Sequence, residues 1–158
     1  MITTDLASLF ARDLERLVQE IRAFPDTAAL WRTAPGVTNA AGTLGLHLEG
    51  NLRDLVGRVL GGIAYVRDRP LEFSARDVPQ TDLVQRLDAV RDTIPPLIAA
   101  LSPETLVDAT YPEPFNGATL STGRVLLHLY GHLSYHLGQI DYLRRVTTGN
   151  GAIALASS

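Results

Sequence analysis

The chain has 158 residues, of which 46% are hydrophobic and 20% are charged, and its formal net charge at pH 7 is -3. That length and composition favour one folded domain with a core of its own over a disordered chain, so we expect a single domain spanning residues 1–158. The net negative charge argues against a nucleic-acid partner, because neutralising phosphates requires a basic surface.

The first predicted helix covers about residues 4–24. Its apolar residues recur at spacings of three and four, which is the amphipathic pattern of a helix that packs on a core, and Pro25 ends it. Asp5 lies where a signal peptide would need an apolar segment, so we expect a cytoplasmic protein. Turn-forming residues predict a loop or a short turn over residues 26–42.

The second predicted helix covers about residues 43–66 and is rich in glycine. Each glycine inside a helix costs about 1 kcal/mol relative to alanine, so the glycines need a structural reason. Gly50, Gly57 and Gly61 are spaced by seven and four residues and would form a smooth strip that permits close helix contact. Together with the apolar surface left over in a small bundle, this strip predicts a symmetric homodimer.

A polar loop leads to the third predicted helix, which covers about residues 81–101. Apolar residues at helical spacing form the side that we expect to be buried. Pro95 and Pro96 interrupt this pattern, and each proline removes an N–H donor and clashes with the preceding turn. We therefore expect the helix to be kinked or broken there.

The fourth predicted helix covers about residues 121–146, after a turn-rich connection at 102–119 in which we expect a short helical turn and an extended piece. Its uncharged run, residues 125–140, holds three histidines and is shorter than the roughly 20 residues that span a bilayer, so no membrane association is expected. Four helices without an alternating strand pattern predict an all-α four-helix bundle of the up-and-down type, with one long crossover before the last helix.

Three of the four histidines lie in the fourth helix, as His128-x3-His132-x3-His136, and His47 lies in the second. Side chains four residues apart stack on one face of a helix, and each such step drifts by about 40°. One metal ion can therefore take His128 with His132, or His132 with His136, but not all three. An imidazole from the neighbouring helix would complete a three-nitrogen site with an open coordination position.

Other kinds of site can be tested against the sequence. Cysteine is absent, which excludes thiolate ligands and cysteine nucleophiles and leaves imidazole and carboxylate groups as metal ligands. No H-E-x-x-H motif, Glu-x-x-His motif, phosphate-binding glycine loop or nucleophile elbow occurs. A mononuclear histidine-rich centre remains, although His47 by itself favours a hydrogen-bonded residue of the core over a ligand.

The segment HLSYHLGQI at residues 132–140 resembles the H-x-x-x-H-x-G-Q-[IL] signature of the DinB-like superfamily, and His47 in LGLHLEGNL resembles its second-helix histidine. This superfamily comprises small metal-binding four-helix bundles related to bacillithiol transferases and to the metal-binding domain of mycothiol-dependent maleylpyruvate isomerase. The resemblance implies that His47, His132 and His136 ligate one divalent metal ion. Zinc and nickel are the first candidates, and iron and manganese are alternatives.

Three further residues lie near the implied ligands in the sequence. His128, one turn before His132, is expected to orient a ligand, to line a pocket or to pack as a polar group. Asn51 lies one turn after His47, where a place in the site and a solvated or interhelical place are equally open. Gln139 is expected to line the site or to make a hydrogen bond that fixes the bundle.

An open three-histidine centre permits two kinds of chemistry, which are the activation of water for hydrolysis and the binding of an exogenous thiol as a thiolate. The resemblance favours a metal-dependent transferase that joins a low-molecular-weight thiol, such as bacillithiol or mycothiol, to an electrophilic small molecule. In that hypothesis the connection at 102–119, with Tyr111 and Phe115, helps to cover the site. A metal-dependent small-molecule hydrolase and a non-catalytic metal- or ligand-binding bundle are the alternatives.

Overall fold

Seven α-helices form the part of the chain that the computed structural model describes, which is residues 2–156. They are α1 (Ile2–Arg22), α2 (Thr27–Leu30), α3 (Ala41–Leu52), α4 (Arg69–Ser74), α5 (Gln80–Ala99), α6 (Pro103–Val107) and α7 (Thr122–Thr148). A π-helical segment, Arg53–Arg58, prolongs α3. Apart from two isolated β-bridges, the described residues contain no strand, so the predicted all-α fold is confirmed.

The four long helices, α1, α3, α5 and α7, correspond to the four predicted from the sequence. Helix α1 packs against α5 and α7, and α3 packs against the same two helices, so α1 lies diagonally across the bundle from α3. Buried side chains of all four helices form one hydrophobic core, with Phe10, Leu48, Ile94 and Leu133 among its members. Within residues 2–156, no helix has both the length and the apolar character needed to cross a membrane.

Contacts between the long helices fix their relative directions. These contacts are Glu15–Arg91 and Ile21–Gln80 between α1 and α5, Gly45–Leu83 and Gly57–Ile94 between α3 and α5, and Arg12–Tyr130 and Glu20–Arg144 between α1 and α7. Helix α1 is therefore antiparallel to α5 and parallel to α7, and α3 is parallel to α5. The order is up, down, down and up, so the segment at 59–79 is the crossover that joins two parallel helices. The predicted position of the crossover, before the last helix, is wrong.

The ends of α7 follow capping rules that are readable in the sequence. The Ser121 hydroxyl accepts a hydrogen bond from the Arg124 N–H at the first turn, as an N-cap residue does. At the other end, Gly149 has a φ of 73°, which favours glycine, and its N–H donates to the Arg145 carbonyl. The predicted bounds of this helix are therefore confirmed to within two residues.

Helix α5 runs without a break through Pro95 and Pro96, so of the predicted kink or break, the break is wrong. The two prolines cost hydrogen bonds to the preceding turn. The helix persists because Leu87, Ile94 and Ile98 are fully buried in the core. Packing of the apolar face thus outweighs the local penalty, and the helix ends three residues after the second proline.

The second predicted helix ends earlier than expected, because the helical segment stops at Arg58 and Gly62 adopts a φ of 65° in the following turn. The glycine strip serves contacts inside the chain. A Cβ atom at Gly61 would collide with Leu97 of α5, and one at Gly50 would collide with Glu72 of α4. Gly50 and Gly61 therefore permit close approach of segments within one chain. They no longer support the homodimer, which stays a prediction.

Candidate metal centre

Three imidazoles converge between α3 and α7. His47 Nε2 lies 3.1 Å from His132 Nε2, and His136 Nε2 lies 3.1 Å from the same atom. Each of the three residues offers a ring nitrogen, and these nitrogens all lie within 4.8 Å of one another. Metal–imidazole bonds are about 2.0–2.1 Å long, so nitrogens at these separations could share one ion.

The helix geometry explains this convergence. His132 and His136 are four residues apart on α7 and therefore lie on one face, towards α3. His47 occupies a fully buried stretch of α3 and meets them from the neighbouring helix. Of the two histidine pairs that helical spacing leaves open, the structure brings His132 and His136 together with His47, whereas His128 lies outside this group.

A buried carboxylate holds the outer nitrogen of His47. The Nδ1 atom of His47 lies 2.8 Å from Glu72 Oε2, and Arg67 donates to both oxygens of Glu72 at 2.6 and 2.9 Å. Burial would raise the pKa of Glu72, but the hydrogen bonds from Arg67 and His47 and their charges bring it below its usual range. An ionised Glu72 keeps the proton on His47 Nδ1 and leaves Nε2 free to bind a metal.

Gly50 makes room for this carboxylate. It lies on α3 one turn after His47, and a Cβ atom there would come within 2.8 Å of the Glu72 carboxyl carbon. Only a glycine at this position allows Glu72 to reach the imidazole without displacement. The conformational cost of Gly50 in a helix is thus tied to the geometry of the site.

His136 is oriented in the same way by a neutral partner. Its Nδ1 atom lies 2.6 Å from Gln139 Oε1, one turn further along α7. With the proton on Nδ1, His136 also presents an unprotonated Nε2 to the centre. Gln139, expected from the sequence to make a fixing hydrogen bond or to line the site, lies in direct contact with a candidate ligand.

A family comparison agrees with this arrangement. A match to the DinB superfamily covers residues 9–140, which is most of the chain and includes the three converging histidines. The chain belongs to the DinB superfamily. No curated protein and no solved structure matches it. The resemblance predicted from the histidine motif is therefore confirmed at the level of the superfamily.

The three imidazoles of this DinB-superfamily protein fit a cation on hydrogen-bond grounds. His47 and His136 both point unprotonated Nε2 atoms at His132 Nε2, which carries at most one proton and can satisfy only one of them. The His132 Nδ1 atom is buried and has no hydrogen-bond partner among the described residues. A positive ion between the Nε2 atoms would relieve this crowding of lone pairs, whereas a protein donor cannot.

The protonation equilibria favour the same state. Burial, together with the neighbouring His136 and His47, lowers the pKa of His132 to about 4. Burial also lowers the pKa of His136, although its hydrogen bond to Gln139 opposes that shift. The imidazoles of His132 and His136 are therefore neutral at pH 7, as metal ligands must be. Protons compete with a metal ion for these nitrogens only in acid.

The remaining residues singled out in the sequence surround the centre. His128 is exposed, its ring lies parallel to that of His132 at 6.5 Å, and Phe115 contacts it edge-on at 5.0 Å. Asn51 is buried, and its Oδ1 atom has no partner within residues 2–156. Because Phe115 belongs to the connection at 102–119, its contact shows that this connection passes beside His128. The Tyr111 hydroxyl donates to the Leu55 carbonyl at 2.7 Å.

Glu72 and Arg67 were missed by sequence reasoning, because both lie in a segment that resembled a polar loop. A helix-start signal was present there. Asp68 accepts a hydrogen bond from the Leu71 N–H as an N-cap residue, and Pro70 lies in the first turn. This signal predicts a short helix, and α4 carries Glu72 to the site of the DinB-superfamily protein.

We predict that the Gly50→Ala and Glu72→Gln variants bind zinc about 10- to 100-fold more weakly than the unaltered protein, because both weaken the carboxylate contact to His47. Gly50→Ala acts by displacing Glu72, and Glu72→Gln acts by removing its charge. Isothermal titration calorimetry with zinc measures the effect.

The matched control is Gly131→Ala on α7, where an added Cβ meets no atom within 4 Å. Its zinc affinity should equal that of the unaltered protein. Unchanged affinity in both Gly50→Ala and Glu72→Gln would contradict the assigned role of Glu72.

Proposed function

We propose that this protein is a metal-dependent transferase that joins a low-molecular-weight thiol to an electrophilic small molecule. The observation that carries the proposal is the convergence of three imidazoles whose Nε2 atoms face one point. His47, His132 and His136 would be the ligands, with zinc or nickel as the first candidates. Three nitrogen ligands leave at least one coordination position for a substrate.

The thiol has to come from outside the chain, because the sequence contains no cysteine. A divalent metal held by His47, His132 and His136 would lower the pKa of a thiol bound at the open position. In the overall reaction the thiol would lose its proton to solvent and its sulfur would form a bond to the electrophilic carbon. The bond from that carbon to the leaving group would break with its electron pair.

The chain's own residues contribute orientation. Glu72 and Gln139 hold the outer nitrogens of His47 and His136, so two of the three ligands keep fixed ring planes and tautomers. Such fixed ligands restrict where an incoming sulfur can lie, which lowers the entropic cost of bringing it to the electrophile.

The hydrolase alternative has less support. It needs a free general base near the bound water. The carboxylate at the site, Glu72, has both oxygens engaged, because Oε1 accepts from Arg67 and Oε2 accepts from Arg67 and His47. This engagement favours an orienting role for Glu72 over proton abstraction.

The test measures thiol conjugation by zinc-loaded and nickel-loaded protein. Chlorodinitrobenzene is the electrophile, and bacillithiol, mycothiol, glutathione and cysteine are the thiols. We expect turnover with at least one thiol and its loss in the His132→Ala variant. Equal rates with His132→Ala, or no rate above the uncatalysed reaction with any thiol, would overturn the transferase proposal and leave metal or ligand binding as the role.

A further inference from the structure

A cavity of about 580 Å³ opens beside the candidate metal centre. It is lined by the loop at residues 34–39 and by Leu44, Gln139, Tyr142, Leu143 and Val146. None of these lining residues carries a charge. A cavity of this size suits a small organic molecule.

The cavity lies one helical turn from two of the candidate ligands. Leu44 precedes His47 by three residues on α3, and Gln139 follows His136 by three residues on α7. Because α3 and α7 are antiparallel neighbours, both steps lead in the same direction along the bundle. The cavity and the metal centre are therefore adjacent, with Gln139 shared between them.

The amide of Gln139 gives the cavity a defined hydrogen-bond polarity. A proton on His136 Nδ1 requires that Gln139 turn its oxygen towards the imidazole, at 2.6 Å. Its NH₂ group is then left over, and no described residue accepts a hydrogen bond from it. An unused donor at the wall of a mainly apolar cavity favours a ligand that brings an acceptor.

We propose that this cavity binds an uncharged, largely apolar small molecule whose carbonyl-type oxygen accepts a hydrogen bond from Gln139. The lining residues offer a charged ligand no counter-charge, which makes its burial there costly. Arg145 lies over the ring of Tyr142 at 5.3 Å, and Asp141 pairs with Arg145 at 3.5 Å. Tyr142 and Val146 are 66% and 65% exposed and form an apolar entrance. The claim that this cavity holds the electrophile rests on the proposed function. The claim that it binds a neutral ligand does not.

The test uses three probes of one shape. 2-Acetylnaphthalene carries an acceptor oxygen, 2-ethylnaphthalene lacks it, and 2-naphthoate carries a negative charge. Dissociation constants come from ¹H–¹⁵N NMR titrations of zinc-loaded protein. We expect the ketone to bind about 5-fold more tightly than the hydrocarbon, as one hydrogen bond contributes, and to shift the signals of residues 34–39 and of the Gln139 side-chain amide. The naphthoate should bind at least as weakly as the hydrocarbon.

Two variants separate the hydrogen bond from the cavity. Gln139→Glu keeps an oxygen for His136 and removes the donor, so it should abolish the preference for the ketone over the hydrocarbon, and the zinc content of the variant is measured alongside. Val37→Trp, in the half-exposed loop, should fill the cavity and remove binding of both neutral probes, whereas Val66→Trp, at a residue that is 93% exposed and outside the cavity, should not.

Tighter binding of the naphthoate, or a ketone preference that survives Gln139→Glu, would overturn the proposal. The proposal would also be overturned if Val37→Trp changed the oligomeric mass of the protein in solution and left probe binding intact. That result would indicate that a second copy of the chain covers the cavity. Ketone binding without thiol turnover would refute the transferase alone. If the unaltered protein turned over thiols but bound none of the probes, and Val37→Trp turned over thiols at the same rate, the cavity assignment alone would be refuted.

Discussion

His132→Ala should abolish zinc binding in the micromolar range, and it is the largest functional effect that we expect. Its Nε2 atom is the one that lies 3.1 Å from both other candidate ligand atoms, so its loss leaves His47 and His136 as a separated pair. Metal binding should also stabilise the fold, because the ligands join α3 to α7. A metal concentration 100 times the dissociation constant contributes about 2.7 kcal/mol, and a chelator should lower the melting temperature of the unaltered protein accordingly.

The matched control for this prediction is His128→Ala, one turn away on the same helix and exposed to solvent. It should bind zinc with an affinity within a few-fold of the unaltered protein. Titration calorimetry and melting curves with and without chelator measure both variants. Loss of the metal in His128→Ala together with retention in His136→Ala would show that the other histidine pair is the one that binds.

Arg144→Met should destabilise the protein by about 3–5 kcal/mol, because it leaves a buried carboxyl group without its counter-ion. Arg144 and Glu20 are both 0% exposed, and the Arg144 Nε atom lies 2.5 Å from Glu20 Oε2. The pair joins α7 to α1, and Arg144 also donates to the Gly151 carbonyl. Urea unfolding followed by circular dichroism measures the loss.

The same variant should show a characteristic pH dependence. Burial raises the pKa of Glu20 above its ordinary value of 4.5, against the opposing hydrogen bond from Arg144. Without Arg144 the folded state holds the proton more strongly than the unfolded state does. The stability that protonated Glu20 contributes is then fully present below about pH 4.5 and is lost as the pH rises. The free energy of unfolding of the variant should therefore be lower at pH 8 than at pH 5.

Arg22→Met provides the control for the ion pair. Arg22 is half-exposed and pairs with Asp88 at 2.7 Å, so its removal should cost no more than about 1 kcal/mol. The double variant Glu20→Leu with Arg144→Leu should be more stable than Arg144→Met, because no charge is left buried. A loss below about 1 kcal/mol for Arg144→Met itself would contradict the expected cost.

Local signals in the sequence were sufficient to predict the long helices and the histidine cluster. Helices α1 and α7 lie within two residues of their predicted bounds, because an amphipathic repeat and terminal Pro or Gly residues are local. The candidate metal ligands were predicted from helical spacing together with the superfamily resemblance, since spacing alone left two histidine pairs open. These features depend on residues close together in the chain.

Features set by distant residues were predicted less well. Helix α5 survives Pro95 and Pro96 because of packing by α1 and α3, which the local sequence does not contain. Glu72 reaches His47 across 25 residues, and only the fold shows that Gly50 makes room for it. The order of helix directions likewise depends on how the connections cross the ends of the bundle, so the length of the last connection pointed to the wrong place for the crossover.

The sequence distance between the histidines also has a consequence for biosynthesis. The His47–His132 contact joins residues 85 positions apart, and α7 is the last helix of the bundle. A nascent chain that has emerged only as far as α5 holds a single one of the three imidazoles. A metal ion held by all three imidazoles could therefore bind only once α7 has left the ribosome and reached α3, so such a site cannot guide the folding of the early chain.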